Sequence, residues 1–173
     1  PDWKYYVINR VASVFGKLSI STLMGYYLSD YTYRVFTRYA IVPSEPLLDD
    51  SISAMLLAPT GYYNVAIGQS LYLSFDGGMS FIAQNVSPGP SLSTITSLSA
   101  PRLGPFVLGT RSAGIQVVSP PQDSYITAPA NALPTNTIID ISTDANERLF
   151  VGAPDKFYVT EDFGRTFRSF VNP

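Results

Sequence analysis

Two short stretches decide the fold: Ser74-Phe75-Asp76-Gly77-Gly78-Met79-Ser80-Phe81 and Thr160-Glu161-Asp162-Phe163-Gly164-Arg165-Thr166-Phe167. Both follow one pattern, a hydroxyl residue, any residue, Asp, any residue, Gly, any residue, a hydroxyl residue and an aromatic. Their aspartates stand 86 positions apart. That is twice a period that other markers show independently. Ser51-Ile52-Ser53-Ala54-Met55, Thr94-Ile95-Thr96-Ser97-Leu98 and Thr137-Ile138-Ile139-Asp140-Ile141 start 43 residues apart each time. The apolar runs Asn64-Val65-Ala66-Ile67-Gly68, Phe106-Val107-Leu108-Gly109 and Leu149-Phe150-Val151-Gly152 end in glycines 41 and then 43 apart. The middle unit should carry its own aspartate at 119; Ser119 stands there, with Pro121 in the glycine's place, so that copy is lost.

Working outward from the boxes, each unit divides into short strand-like segments. The second unit gives 52–57, 62–67, 71–75 and 80–84; the last gives 138–142, 148–151, 157–160 and 166–171. Gly, Pro, Asp and Asn fill the gaps, as hairpin turns require. Pro-bearing links at 43–46, 88–90 and 129–134 separate the units. Four antiparallel strands in about 43 residues, repeated, is the sequence pattern of a β-propeller blade. The expected fold is therefore all-β, with residues 51–173 as three four-stranded blades. Each blade has faces that only a neighbour can cover. Other blades, from flanking sequence or another chain, are thus expected partners, and the chain is expected to be part of a larger ring. Residues 1–50 stay open between a degenerate blade and a non-blade element. Gly25 lies 43 before Gly68, yet Val7, Val11, Val14, Phe15 and Leu18 also sit at helical spacing.

The paired motif resembles the Asp-box, or bacterial neuraminidase repeat, of sialidases, sortilin-type receptors, photosystem II stability factors and some xyloglucan-cleaving enzymes. The resemblance covers residues 51–173 and speaks for architecture, not function. It implies that the box hairpin joins the third and fourth strands of a blade. The chemistry of the box is local. Asp76 and Asp162 are expected to accept hydrogen bonds from turn N–H groups, and Gly78 and Gly164 to adopt positive φ. The hydroxyls of Ser74, Ser80, Thr160 and Thr166 are expected to tie the arms of the turn together. Phe81 and Phe167 should pack inward as anchors. These ten residues are read as structural, with no catalytic residue, metal or cofactor expected.

Composition narrows the chemistry. With no His and no Cys, His-based triads, thiol catalysis, disulfides and nearly all catalytic zinc sites are excluded. A net charge of −2 argues against a nucleic-acid partner held by bulk charge. The apolar start of the chain is interrupted by Arg10 and Lys17, so no membrane insertion is expected, and no signal peptide is visible. Charged residues make up 14%, well below the roughly 25% of an average soluble domain, and Lys is limited to Lys4, Lys17 and Lys156. With 12 Tyr and abundant Ser, Thr and Pro, this suits an extracellular or virion-surface protein, such as a phage tail or spike component.

A sialidase-like activity would need an arginine cluster and a Tyr/Glu pair, and the nearest match to the family's Arg-bearing element, Pro101-Arg102-Leu103-Gly104, falls after the first box. Asp49-Asp50 is the one tempting carboxylate pair, but adjacent residues point apart. Asn85-Val86-Ser87 is a formal glycosylation sequon. Because antiparallel strands send successive turns to alternate ends, the box turns share an end with the turns joining strands one and two. The other end collects the turns at 68–70, 110–114 and 153–156 and the links. Variable loops of that kind usually carry function, so Arg111, Asp155 and Lys156 are the candidate ligand-face residues. The expected function is a non-enzymatic binding or structural module recognising protein or glycan. The rival is a fragment of a sialidase-like glycoside hydrolase.

Overall fold

Among the residues described in a computed structural model of the chain, sixteen strands form four separate four-stranded antiparallel sheets. The structure describes residues 7–22, 25–41, 52–58, 61–84, 93–102, 106–118, 125–127, 133, 135–162 and 164–170. Contacts divide the chain into two compact units, residues 1–84 and 85–173, each holding two sheets.

In the first unit, β1 (Ile8–Val14), β2 (Lys17–Thr22), β3 (Gly25–Ser29) and β4 (Phe36–Tyr39) form the first sheet in that order. The stretch with helical spacing is therefore a β-hairpin. Val14 pairs with Lys17 across a two-residue turn in which Phe15 and Gly16 both have positive φ, 48° and 76°. That geometry belongs to type I′ turns, whose twist matches the flanking strands. Val7, Val11 and Val14 are β-branched and prefer a pleated surface. Pairing with the apolar second strand outweighs the accidental spacing of three and four.

The second sheet follows as β5 (Ile52–Leu57), β6 (Tyr63–Ile67), β7 (Ser70–Ser74) and β8 (Ile82–Gln84). β3 and β6 are buried along their whole length, which explains their near-continuous apolar sequence. Val14, Tyr26, Leu28 and Ile41 from one sheet and Ile52, Tyr63, Val65 and Ile67 from the other make one shared core. β1 lies against β5, and the Arg10 Nε donates to the Ser53 carbonyl at 2.9 Å. Neither sheet could bury these faces alone.

The second unit repeats the plan with β9 (Ile95–Ser99), β10 (Phe106–Thr110), β11 (Ile115–Val118) and β12 (Tyr125–Thr127). The fourth sheet is β13 (Asp140–Thr143), β14 (Leu149–Gly152), β15 (Phe157–Thr160) and β16 (Arg168–Phe170). Val107, Ile115, Leu133, Ile138, Ile141, Leu149, Val151 and Tyr158 form its core. One difference from the repeat is instructive. Ile52 and Ile95 open their strands, but Ile138 lies two residues before β13. Its N–H donates to the Thr110 carbonyl of the neighbouring sheet at 2.8 Å, and its carbonyl accepts from the Thr96 hydroxyl at 2.7 Å. The neighbouring sheet takes up its backbone, so it serves as a buried strap between sheets. The glycine markers are likewise not equivalent in register. Gly68 sits in the β6–β7 turn, whereas Gly109 and Gly152 lie within β10 and β14.

Candidate functional site

The boxes form the β7–β8 and β15–β16 turns, and their hydrogen bonds are nearly superimposable. Asp76 Oδ1 accepts from the Met79 N–H (3.0 Å), the Ser80 N–H (2.9 Å) and the Ser74 hydroxyl (2.8 Å), and Oδ2 accepts from the Ser80 hydroxyl (2.5 Å). The Ser74 hydroxyl in turn accepts from the Gly78 N–H at 2.8 Å. At the second box, Asp162 Oδ1 accepts from the Thr166 N–H (2.9 Å) and the Thr160 hydroxyl (2.7 Å), and Oδ2 from the Thr166 hydroxyl (2.6 Å). The Gly164 N–H donates to the Thr160 hydroxyl at 2.9 Å. Gly78 and Gly164 have φ of 92° and 91°, a region closed to most side chains.

Partial desolvation works against ionisation of both aspartates, but hydrogen bonds outweigh it. Those from the Ser80 hydroxyl and amide, the Ser74 hydroxyl and the Met79 amide hold Asp76 down to about 2. Those from the Thr166 hydroxyl and amide, the Thr160 hydroxyl and the Arg165 amide do the same for Asp162, also to about 2. A carboxylate held that low is an ionised acceptor at neutral pH, with no proton to donate. Phe81 packs edge-to-face on Tyr26 (centroids 5.5 Å apart) and Phe167 on Tyr158 (6.5 Å). Beneath the first box, Tyr26 and Tyr63 are buried and Ser19 hydrogen-bonds Tyr63. Burial pushes both phenols up, Tyr63 to about 12.

Two further aspartates close turns in the same way and have no counterpart in the 43-residue phase. Asp30, in the β3–β4 turn, accepts from the Arg34 and Val35 N–H groups (3.0 and 3.2 Å) and the Thr32 hydroxyl (2.5 Å). It lies 46 residues before Asp76, three out of step. Only the local Asp-x-Thr spacing would have marked it. Asp144, in the β13–β14 turn, accepts from the Asn146 and Arg148 N–H groups (both 2.9 Å) and from the Arg148 guanidinium (Nε at 2.8 Å).

At the opposite end, Arg111 is exposed, and its N–H donates to the Thr94 carbonyl at 2.9 Å. Asp155 and Lys156 are exposed in the β14–β15 turn, closed by the Ala153 N–H to the Lys156 carbonyl at 3.0 Å. Asp155 reaches inward electrostatically: burial, aided by its charge, pushes the Tyr158 phenol up. No hydrogen bond or ion pair among the described residues joins Arg111 to Asp155 or Lys156, so the three share an end without forming a cluster. Arg102 is exposed, and its backbone N–H donates to Glu147 at 3.1 Å. Among the described residues no three acidic side chains group as a metal site, and no helix is long and apolar enough to cross a membrane. Asp49-Asp50, the sequon at 85–87 and position 119 lie outside the described residues.

Four-stranded antiparallel blades with Asp-box hairpins define the class: an all-β propeller fold of the Asp-box type. Solved structures agree. The extracellular domain of a B. thetaiotaomicron protein described as a hybrid two-component system matches with a TM-score of 0.78 at 15% identity, over 96% of this chain and 23% of that one. YCF48 bound to D1 peptide matches at 0.67 and 13%, over 99% of this chain and 55% of that one. An ancestral GH74 enzyme matches at 0.71 and 12%, over 96% and 24%. The chain thus spans from about a quarter to about half the length of these proteins. No protein-family model matches it, and comparison with curated proteins gives no match.

Proposed function

We propose that the chain is a non-enzymatic recognition module, a section of an extracellular propeller that binds a protein or glycan partner. One observation carries this: both box carboxylates accept several hydrogen bonds from donors of their own turns and are held ionised. They brace hairpins and, ionised at neutral pH, have no proton to deliver. Recognition then falls to the loops of the opposite end, with Arg111, Asp155 and Lys156 as its exposed charges. Two of the similar structures support the reading by analogy, one an extracellular domain and one holding a peptide.

The test combines a glycan array with hydrolysis assays on aryl sialosides and xyloglucan oligosaccharides. Saturable binding that falls with Arg111→Ser or Lys156→Ser at unchanged thermal stability is the expected result. Turnover that Asp76→Asn or Asp162→Asn removes from a still-folded protein would overturn it.

A further inference from the structure

Asp76-Gly77 is the single Asp-Gly step in the sequence, and no Asn-Gly occurs. Such a step carries a chemistry of its own. The backbone nitrogen after an aspartate can attack the side-chain carboxyl carbon, and glycine, with no Cβ, leaves that approach open. The turn itself calls for glycine here. Gly77 has a φ of 74°, where other residues are strained. The second box has no such step, because Phe163 follows Asp162, and a side chain at that place crowds the attacking nitrogen.

The box opposes this reaction in the folded chain. Attack closes a succinimide ring and needs Asp76 Cγ to bond to the Gly77 nitrogen. Instead, the Met79 and Ser80 N–H groups and the Ser74 hydroxyl hold Oδ1, and the Ser80 hydroxyl holds Oδ2. These bonds draw the carboxylate toward residues 74, 79 and 80, and ring closure breaks them. The ring also forms from the neutral acid, whose hydroxyl leaves as water. Desolvation favours that acid, but the same hydrogen bonds outweigh it and keep Asp76 ionised. The Phe15 ring lies 3.5 Å from where a Cβ on Gly77 would stand, so the glycine is packed against the first sheet. Asp76 is exposed, so water is at hand whenever the hairpin opens.

We propose that Asp76 is a latent site of spontaneous modification, an aspartate that the box hydrogen bonds keep intact in the folded chain and that converts to isoaspartate when the hairpin opens. This goes beyond the recognition reading and does not depend on it. The steps balance with water alone. The Gly77 nitrogen bonds to Asp76 Cγ, its proton and the carboxyl hydroxyl leave as water, and the succinimide forms. Water then adds to one ring carbonyl, and the C–N bond at that carbon breaks. Opening at Cγ restores aspartate. Opening at the backbone carbonyl carbon leaves the chain running through Cβ and Cγ, with a carboxylate on Cα. The backbone is then one atom longer and the carboxylate one carbon closer to it. The donors at 74, 79 and 80 no longer converge on that carboxylate, so the box does not re-form. Gly78 sits directly over Tyr26 and Tyr63, so the lesion reaches the first core.

The experiment incubates the whole chain at neutral pH in water enriched in heavy oxygen and follows residue 76 by peptide mass mapping. Every passage through the ring leaves a solvent oxygen in residue 76, whichever product forms. Endoproteinase Asp-N, which passes over isoaspartate, separates the two products. We expect label to enter Asp76 of the folded chain at least about tenfold more slowly than in the urea-unfolded chain. Ser80→Ala removes the donor on Oδ2. In a protein that still melts cooperatively it should speed labelling about fivefold or more, because the reaction follows the population of the open hairpin. Ser80→Thr, which supplies the hydroxyl used by the second box, should keep the parent rate. Asp162 should stay slow throughout. Three results would overturn the proposal: folded and urea-unfolded chains labelling Asp76 within about twofold of each other; a folded Ser80→Ala labelling at the parent rate; or, where that variant does not fold, a folded Ser74→Ala labelling at the parent rate.

Discussion

Gly78→Ala tests whether the first box and the core beneath it are one packed unit. Gly78 is buried with φ at 92°, and a Cβ there would collide with the Tyr26 hydroxyl and come within 3.3 Å of the Tyr63 ring. Both rings are fully buried and hemmed in by Phe81. Two costs follow. A side chain at this φ costs about 1–2 kcal/mol, and overpacking a rigid core costs about 1–3 kcal/mol, so the loss should reach about 2–5 kcal/mol. Gly68→Ala separates the two. Its φ is also positive, 59°, but nothing lies within 4 Å of its Cβ position, so it should cost about 1 kcal/mol. Adding Tyr26→Phe removes the struck atom. The Tyr26 hydroxyl is buried beside Tyr63 and Ser19, so this change should cost about 1 kcal/mol alone and, measured against that background, should restore part of the Gly78→Ala loss. Equilibrium denaturation of the four variants reads this directly. Equal losses for Gly78→Ala and Gly68→Ala, or no recovery with Tyr26→Phe, would refute the reasoning.

The boxes should also confer acid sensitivity. Asp76 and Asp162 are held at about 2 in the fold against 3.8 when free, so the unfolded chain binds protons first as pH falls. Their stabilisation is full above about pH 4 and disappears toward pH 2. Discounted for solvent screening, it amounts to about 1 kcal/mol each. Melting across this range should show Asp76→Asn and Asp162→Asn losing less on acidification than the parent. In β10, a Cβ on Gly109 would stand 2.7 Å from an Ile138 methyl and 3.0 Å from Ile141, so Gly109→Ala should cost about 1–3 kcal/mol in denaturant unfolding. Gly152→Ala, with its nearest neighbour at 3.7 Å, should be neutral or mildly stabilising.

What could be read from residue order was what depends on near neighbours. The boxes are legible because every donor to Asp76 and Asp162 lies within four residues of its acceptor, so spacing alone specifies the turn. The 43-residue period is legible because each blade must bury the same strands against the next. The first sheet was ambiguous for the opposite reason. Apolar residues at three and four apart fit a helix as well as a strand, and Phe15 replaces the Asn that would have marked the I′ turn. Only pairing of β1 with β2 and packing of β1 on β5 decide between them. Ile138 shows the same dependence: its period places it in a strand, but Thr110 and Thr96 of the neighbouring sheet take its backbone. The contact between the Phe15 turn and the first box depends wholly on tertiary structure. Phe15 and Phe75 lie 60 residues apart in sequence, in turns with no shared motif. The antiparallel order of two blades brings the tips of their hairpins to one end, where the Phe15 ring reaches the Gly77 turn.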